Sequence, residues 1–116
     1  CGFSDIENVL EEIWRYSHIP TAIGPVMNQY AKLHFGIPIS AMRPIDSLAK
    51  NQVPILFIHG EADQYILPAN SERMYEATKG KRDLLLVPKA GHAESVFVNK
   101  SLYTEKLKDF LSSLAS

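Results

Sequence analysis

Two stretches of the sequence place polar side chains directly after apolar runs. The first is HGEADQYILP, residues 59–68, which carries Asp63, and the second is PKAGHAES, residues 88–95, which carries His92. A carboxylate that holds one imidazole nitrogen fixes the tautomer of the ring and stabilises the imidazolium. The other nitrogen is then free to take a proton from a nucleophile. An Asp63–His92 pair is therefore a candidate for proton transfer.

Other residues on the two stretches have alternative or simpler interpretations. Asp63 could be an ordinary turn residue, because Asp is favoured in turns, and Glu61 is the alternative acid. His92 could be a histidine of an exposed loop. We expect His59, at the end of the apolar run, to be a packed residue behind the site. Ser95 is too close to His92 in sequence to be a good nucleophile for it.

The sequence lacks an obvious nucleophile for this pair. The motif G-x-S-x-G does not occur in the 116 residues. Cys1 could act through its own terminal amine, but no other sequence feature supports that chemistry. His59, Glu61 and Asp63 share one short turn without further ligands, so the sequence predicts neither a metal site nor a cofactor.

The elements that would position these loops alternate between strand and helix. A continuous apolar run at 55–58 and the stretch DLLLV at 83–87 predict strands that are covered on both faces. Helical patterns over 68–79 and from about residue 101 follow them. Such alternation predicts βαβ units in a parallel sheet. The carboxyl ends of neighbouring parallel strands lie about 5 Å apart at one edge, where ligands bind in α/β proteins.

The first 52 residues predict helices and loops. A helix over residues 4–16 begins with Ser4 and Glu7 in the pattern of a capping box. A second helix opens at Gly24-Pro25 and ends at Gly36, and an irregular stretch follows. Several large side chains of this region could line an acyl pocket or form core: Trp14, Tyr16, Tyr30, Phe35 and Met42.

The composition excludes several classes of protein. The 116 residues suffice for one domain, and 46% hydrophobic with 22% charged residues is ordinary for a globular protein. A net charge of −1 gives no electrostatic basis for binding nucleic acid or an anionic membrane. No apolar run approaches the roughly 18 residues of a membrane span. A single cysteine is compatible with the cytoplasm, which we take as the expected location.

Both loops resemble the C-terminal half of the α/β-hydrolases. VPILFIHGEADQYILP (53–68) is similar to the strand, acid-bearing turn and helix start of that family, and LLLVPKAGHAES (84–95) is similar to its last strand and histidine loop. The closest resemblance is to bacterial serine hydrolases of the esterase and prolyl-oligopeptidase-like kind. It implies that Asp63 is the acid and His92 the base of a triad in the order Ser, Asp, His.

The resemblance implies an α/β fold, namely the C-terminal portion of a doubly wound, mostly parallel sheet. Residues 1–52 would be a helical lid or connecting region, and residues 53–116 a βαβα unit within one incomplete domain. Because G-x-S-x-G is absent, we expect a fragment that is inactive alone, from a parent that cleaves a small-molecule ester or related acyl bond. An open sheet edge invites strand pairing, so the fragment should self-associate or require its N-terminal half.

Two alternatives stay open. The parent could use another nucleophile on the same fold, such as the aspartate of haloalkane dehalogenases or the cysteine of dienelactone hydrolases. Alternatively, the chain could be a non-catalytic α/β interaction domain that keeps the fold without the chemistry.

Overall fold

The fold is a parallel strand pair with helices around it. The computed structural model describes residues 2–115. Its helices and strands, in chain order, are α1 (Ile6–Tyr16), α2 (Ile23–Phe35), a 3₁₀ turn (Ile39–Ala41), α3 (Ile45–Leu48), β1 (Ile55–Gly60), α4 (Ala69–Ala77), β2 (Arg82–Val87), α5 (Ser95–Val98) and α6 (Lys100–Ser112). Strands β1 and β2 pair in parallel, with Gly60 opposite Val87. The predicted α/β alternation is thereby confirmed.

The start of α1 differs from the sequence prediction. Asp5, rather than Ser4, is the N-cap, and its side chain accepts the Asn8 N–H at 2.9 Å. Ser4 is fully buried, and its hydroxyl lies 2.9 Å from Asn70 Oδ1. The capping-box prediction for Ser4 and Glu7 is therefore wrong. The Ser4 hydroxyl hydrogen-bonds to Asn70 on α4, and Asp5 caps the helix instead.

Helix α2 ends at Gly36, as its sequence predicts, and the positive φ of 75° there suits glycine. Helix α2 carries an apolar stripe that includes Val26 and Leu33, but this stripe does not face a core. Val26 and Leu33 are both mainly exposed, whereas Ala31 is buried. The stripe is therefore an uncovered apolar face in this chain.

The strands are less covered than expected. Residues 55–58 of β1 and 83–86 of β2 are half-buried, and full burial is reached only where the strands end. The largest fully buried side chains of the described residues are His59, Val87, Asn70, Thr78, Asp63, Ser4 and Ser71. The best-buried interior is thus mostly polar, and apart from Thr78, which follows α4, it lies near the carboxyl ends of the strands.

A polar network attaches the N-terminal segment to α4. Asn70, fully buried in the first turn of α4, accepts the Ser4 N–H at 3.2 Å and donates to Glu12 Oε2 at 3.1 Å. Arg73 donates to Ser4 Oγ at 3.1 Å and to Asn70 Oδ1 at 3.1 Å. Helix α1 is therefore tied to the helix that directly follows the acid-bearing turn.

Two helices complete the chain after β2. The sequence predicts α6 from about residue 101, and it begins at Lys100 with Asn99 as its N-cap. The short α5 was not predicted.

Across residues 2–115, no helix has both the length and the apolar character needed to cross a bilayer.

Candidate active site

Asp63 lies in a tight turn directly after β1. Its backbone N–H donates to Gly60 O at 3.2 Å, and its Oδ1 accepts the N–H groups of Tyr65 and Ile66, each at 3.0 Å. Such a turn, closed by the side chain of its own Asp, is a common use of this residue. The residue is only 2% exposed, so the turn holds a buried carboxylate in one orientation.

The histidine loop begins with a turn whose backbone conformation is unfavourable. Pro88 is followed by Lys89 at a φ of 64°, and the Ala90 N–H donates to Val87 O at 3.3 Å. Proline followed by a positive φ is the pattern of a type II turn, which favours glycine at the position of Lys89. Ala93, next to His92, also has a positive φ of 60°.

Backbone hydrogen bonds join the two loops. The Glu61 N–H donates to Val87 O and the Ala62 N–H to Ala90 O, both at 2.9 Å. Gly60 permits this approach, because a Cβ at that position would overlap the carbonyl oxygens of Ala90 and Gly91. The acid turn and the histidine loop are therefore held together independently of their side chains.

The predicted pair meets at this edge of the sheet. His92 Nδ1 lies 2.9 Å from Asp63 Oδ2, within hydrogen-bond distance. The carboxylate is buried, whereas the His92 side chain is 39% exposed. The contact occupies Nδ1, which leaves Nε2 as the ring nitrogen for an incoming proton. The contact is a structural fact, while catalytic roles for Asp63 and His92 stay a prediction.

The surroundings of Asp63 favour its ionised form. Burial raises the pKa of its carboxyl, but hydrogen bonds from the Ile66 N–H, from His92 and from the Tyr65 N–H together hold the pKa below its ordinary value. A carboxylate that accepts several N–H groups keeps its charge to lower pH. Asp63 is therefore suited to stabilise a positive charge on His92.

The remaining candidates lie in different settings. Glu61 is exposed, and Asp63 is the acid that contacts His92. Ser95 is buried at the start of α5. Cys1 lies outside the described residues. Within residues 2–115, no three His, Cys, Asp or Glu side chains are grouped as for a metal ion.

An aromatic contact beside His92 was missed by the sequence analysis. The Tyr65 ring stands edge-on to the His92 imidazole with 5.8 Å between centroids, and the Tyr16 ring lies 6.0 Å from that of Tyr65. Both tyrosines are more than half exposed. Of the predicted pocket residues, Tyr16 is thus linked to the site through Tyr65, whereas Trp14 lines a separate groove of about 480 Å³ beside α1 and α2.

Two further polar residues lie behind the acid. His59 is fully buried, in agreement with the expectation of a packed residue, and its Nδ1 lies 2.6 Å from Ser71 Oγ. Ser71 was not predicted to have any role. Its position in the first turn of α4 follows from the fold, and no local sequence signal would have revealed it.

The fold is shared with a solved hydrolase structure. An esterase of Pyrococcus furiosus superposes on 95% of this chain with a TM-score of 0.61, at 15% sequence identity. The chain corresponds to 41% of that protein. At such low identity the likeness concerns the fold alone, and it supports the α/β fold that the sequence predicts.

Sequence relatives are also longer than this chain. The uncharacterized protein YqkD of Bacillus subtilis is 30% identical over 90 residues, which are 78% of this chain and 30% of YqkD. The uncharacterized protein YfhR of Escherichia coli K12 is 35% identical over 63 residues, which are 53% of this chain and 22% of YfhR. The chain thus spans less than a third of either relative.

A protein-family model also matches most of the sequence. Residues 15–115 match the prolyl oligopeptidase family, and this range contains both strands, the acid turn and the histidine loop. Since the match extends over most of the sequence, the chain belongs to the prolyl oligopeptidase family.

Proposed function

We propose that this chain supplies the acid and the base of a serine hydrolase that cleaves a small-molecule ester or a related acyl bond. Asp63 and His92 are two members of a Ser-His-Asp triad. The serine comes from a segment outside the 116 residues, because G-x-S-x-G is absent from them. On this proposal the chain alone does not turn over substrate.

The first half of the reaction forms an acyl-enzyme. The serine Oγ attacks the carbonyl carbon while His92 Nε2 takes the hydroxyl proton. The resulting imidazolium is stabilised by the Asp63 carboxylate through Nδ1. The tetrahedral intermediate then collapses, the bond to the leaving group breaks, and the leaving oxygen or nitrogen takes the proton from His92.

The second half uses water. A water molecule gives one proton to His92 Nε2 and attacks the acyl carbon. Collapse of this second intermediate breaks the bond to serine, and His92 returns the proton to the serine Oγ. The products are a carboxylic acid and the alcohol or amine released earlier. His92 therefore ends each cycle neutral, with Asp63 ionised throughout.

The observation that carries the proposal is the 2.9 Å contact between His92 Nδ1 and the buried Asp63 carboxylate. The partial exposure of His92 supports it, since a general base must reach a substrate-bound nucleophile. Membership of the prolyl oligopeptidase family and a fold shared with an esterase favour acyl chemistry over an interaction domain.

The test uses the full-length protein that carries these residues, with a fluorophosphonate probe that labels activated serines. We expect labelling and ester hydrolysis in the wild type. His92→Ala should abolish labelling and lower kcat by roughly 10⁴-fold or more, because loss of the base disables the whole triad. His34→Ala, on α2, is the matched histidine control and should retain both activities.

Each other outcome identifies a different alternative. Strong labelling that survives His92→Ala argues against the triad. Labelling by iodoacetamide instead of the fluorophosphonate indicates a cysteine nucleophile. A folded full-length protein that neither probe labels and that hydrolyses no ester overturns the proposal. Halide release from a haloalkane would then indicate an aspartate nucleophile, and its absence a non-catalytic domain.

A further inference from the structure

His59 occupies a position that mere packing does not explain. It is the last residue but one of β1, fully buried, and both of its ring nitrogens have polar neighbours. Nδ1 lies 2.6 Å from Ser71 Oγ, and Nε2 lies 2.7 Å from the carbonyl oxygen of Ile66. An imidazole buried with both nitrogens engaged has one fixed orientation.

These neighbours define where the ring hydrogen sits. The Ile66 carbonyl can only accept a hydrogen bond, so Nε2 of His59 carries the hydrogen. We assign the Ser71 hydroxyl as the donor to Nδ1. Ser71 therefore fixes the tautomer of His59 in the way that a carboxylate fixes the tautomer of a catalytic histidine.

Ile66 connects His59 to the acid. Its carbonyl accepts from His59, and its own N–H donates to Asp63 Oδ1 at 3.0 Å. His59 Nε2 also lies 3.2 Å from Asp63 Oδ2, the oxygen that contacts His92. His59 thus influences both oxygens of the Asp63 carboxylate. It holds the Ile66 peptide, whose N–H donates to Oδ1, and its own Nε2 lies close to Oδ2.

We propose that His59 is a positioning residue that closes the Asp63 turn and directs Asp63 Oδ2 at His92, with Ser71 fixing its tautomer. Ser71, His59, Asp63 and His92 then form one polar chain that leads from the first turn of α4 to the exposed imidazole. This inference rests on the proposed function for its effect on catalysis, whereas its effect on the geometry of His92 is independent of that function.

Two substitutions of His59 separate positioning from space filling. In His59→Gln, the amide nitrogen takes the place of Nε2 and can still donate to the Ile66 carbonyl. In His59→Asn, the amide reaches only the place of Nδ1, so the contact with Ser71 can persist and the donor to Ile66 is lost. If His59 only filled space, the loss of the donor to Ile66 would not matter, and His59→Asn would have no specific effect that His59→Gln lacks.

Kinetics of the full-length protein with a chromogenic ester provide the first measurement. We expect His59→Asn to lower kcat by roughly 10–100-fold with KM within about twofold, since misplacement of a catalytic group by about 1 Å can cost ~10²-fold. His59→Gln should stay within about threefold of wild type, and His34→Gln, the control on α2, should equal wild type. Equal losses in His59→Asn and His59→Gln, or no loss in either, overturn the proposal.

The second measurement needs no turnover. In the ¹⁵N-labelled full-length protein, the Nδ1–H signal of His92 is identified by its loss in His92→Ala. We expect it to persist in His59→Gln and to broaden or disappear in His59→Asn, because the Asp63 oxygen is no longer fixed. A signal unchanged in His59→Asn contradicts the proposal. This result stands even if the full-length protein proves not to be a hydrolase.

Ser71→Ala tests the same chain of contacts without altering His59. Without the hydroxyl, Nδ1 has no donor facing it, so the ring can carry its hydrogen on Nδ1 and lose the donor to Ile66. The His92 signal should then broaden in Ser71→Ala as well, while the amide spectrum of the rest of the chain is retained. This variant decides the question if His59→Asn fails to fold, and an unchanged His92 signal in it counts against the proposed role.

Discussion

The Asp63 carboxylate contacts backbone N–H groups and two histidine side chains. Its Oδ1 accepts two backbone N–H groups of its own turn, and its Oδ2 faces the His92 and His59 rings. A buried charge is costly unless it is paired and hydrogen-bonded. These contacts explain how the chain holds an ionised acid at 2% exposure and why its pKa is lowered despite burial.

The lowered pKa of Asp63 predicts a pH-dependent stability. A carboxyl whose pKa is lower in the folded than in the unfolded state stabilises the fold above the unfolded pKa of about 3.9, and this stabilisation is lost as the pH falls through the folded pKa. We therefore expect the difference in unfolding free energy between wild type and Asp63→Asn to shrink between pH 5 and pH 2, as read from urea unfolding. A difference that is constant over this range would contradict the prediction.

Among elements, the loop between β2 and α5 contains unfavourable backbone conformations on both sides of His92. Lys89 and Ala93 both have positive φ values, which cost roughly 1–2 kcal/mol for residues with a Cβ. Strain of this kind is often found beside functional groups. The backbone conformation that places His92 at the edge of the sheet is therefore less stable than an unstrained loop would be.

Lys89→Gly should relieve part of this cost. Glycine accepts the positive φ freely but loses more entropy on folding, so we expect a net stabilisation of about 0.5–1 kcal/mol and a rise in Tm of roughly 2–8 °C. Lys89→Ala is the matched control, because it removes the same charged side chain and keeps the Cβ. Equal effects of Gly and Ala on thermal unfolding would show that the turn is not strained at this residue.

The elements that carry the site could be predicted because their signals are local. Apolar runs followed by polar turns indicated β1 and β2, and the parallel order brought Asp63 and His92 to one edge. The cap of α1 could not be predicted, because Ser4 binds Asn70, which is 66 residues away. The link from Ser71 to His59 was missed for the same reason, since it depends on how α4 packs against β1.

As a whole molecule, the chain is extended and leaves apolar surface uncovered. Its radius of gyration is 16.3 Å, whereas about 13 Å is typical of a compact domain of this length. Leu33 and Phe35 on α2 are 74% and 75% exposed, and Phe97 on α5 is 84% exposed. Large exposed apolar patches usually mark a surface that another protein segment covers.

We therefore expect the isolated chain to self-associate at micromolar concentration, or to bind the remainder of the proposed full-length protein when the two are mixed. Light scattering coupled to gel filtration measures the mass directly. Replacing Leu33 and Phe35 by Ser should shift the distribution towards monomer, and replacing the exposed Lys89 by Ser should not. A wild-type chain that stays monomeric and does not bind the remainder of the parent would refute this expectation.

The absence of a side chain at Gly60 also sets a limit on how the site can change. Any substituent there would collide with the main chain of the neighbouring loop, and the collision could be avoided only by moving that loop away. A mutational library at this codon should consequently yield almost no functional variants, while the neighbouring exposed Glu61 tolerates many. In engineering this protein, the glycine is best treated as invariant and diversity introduced at the tyrosines beside the imidazole.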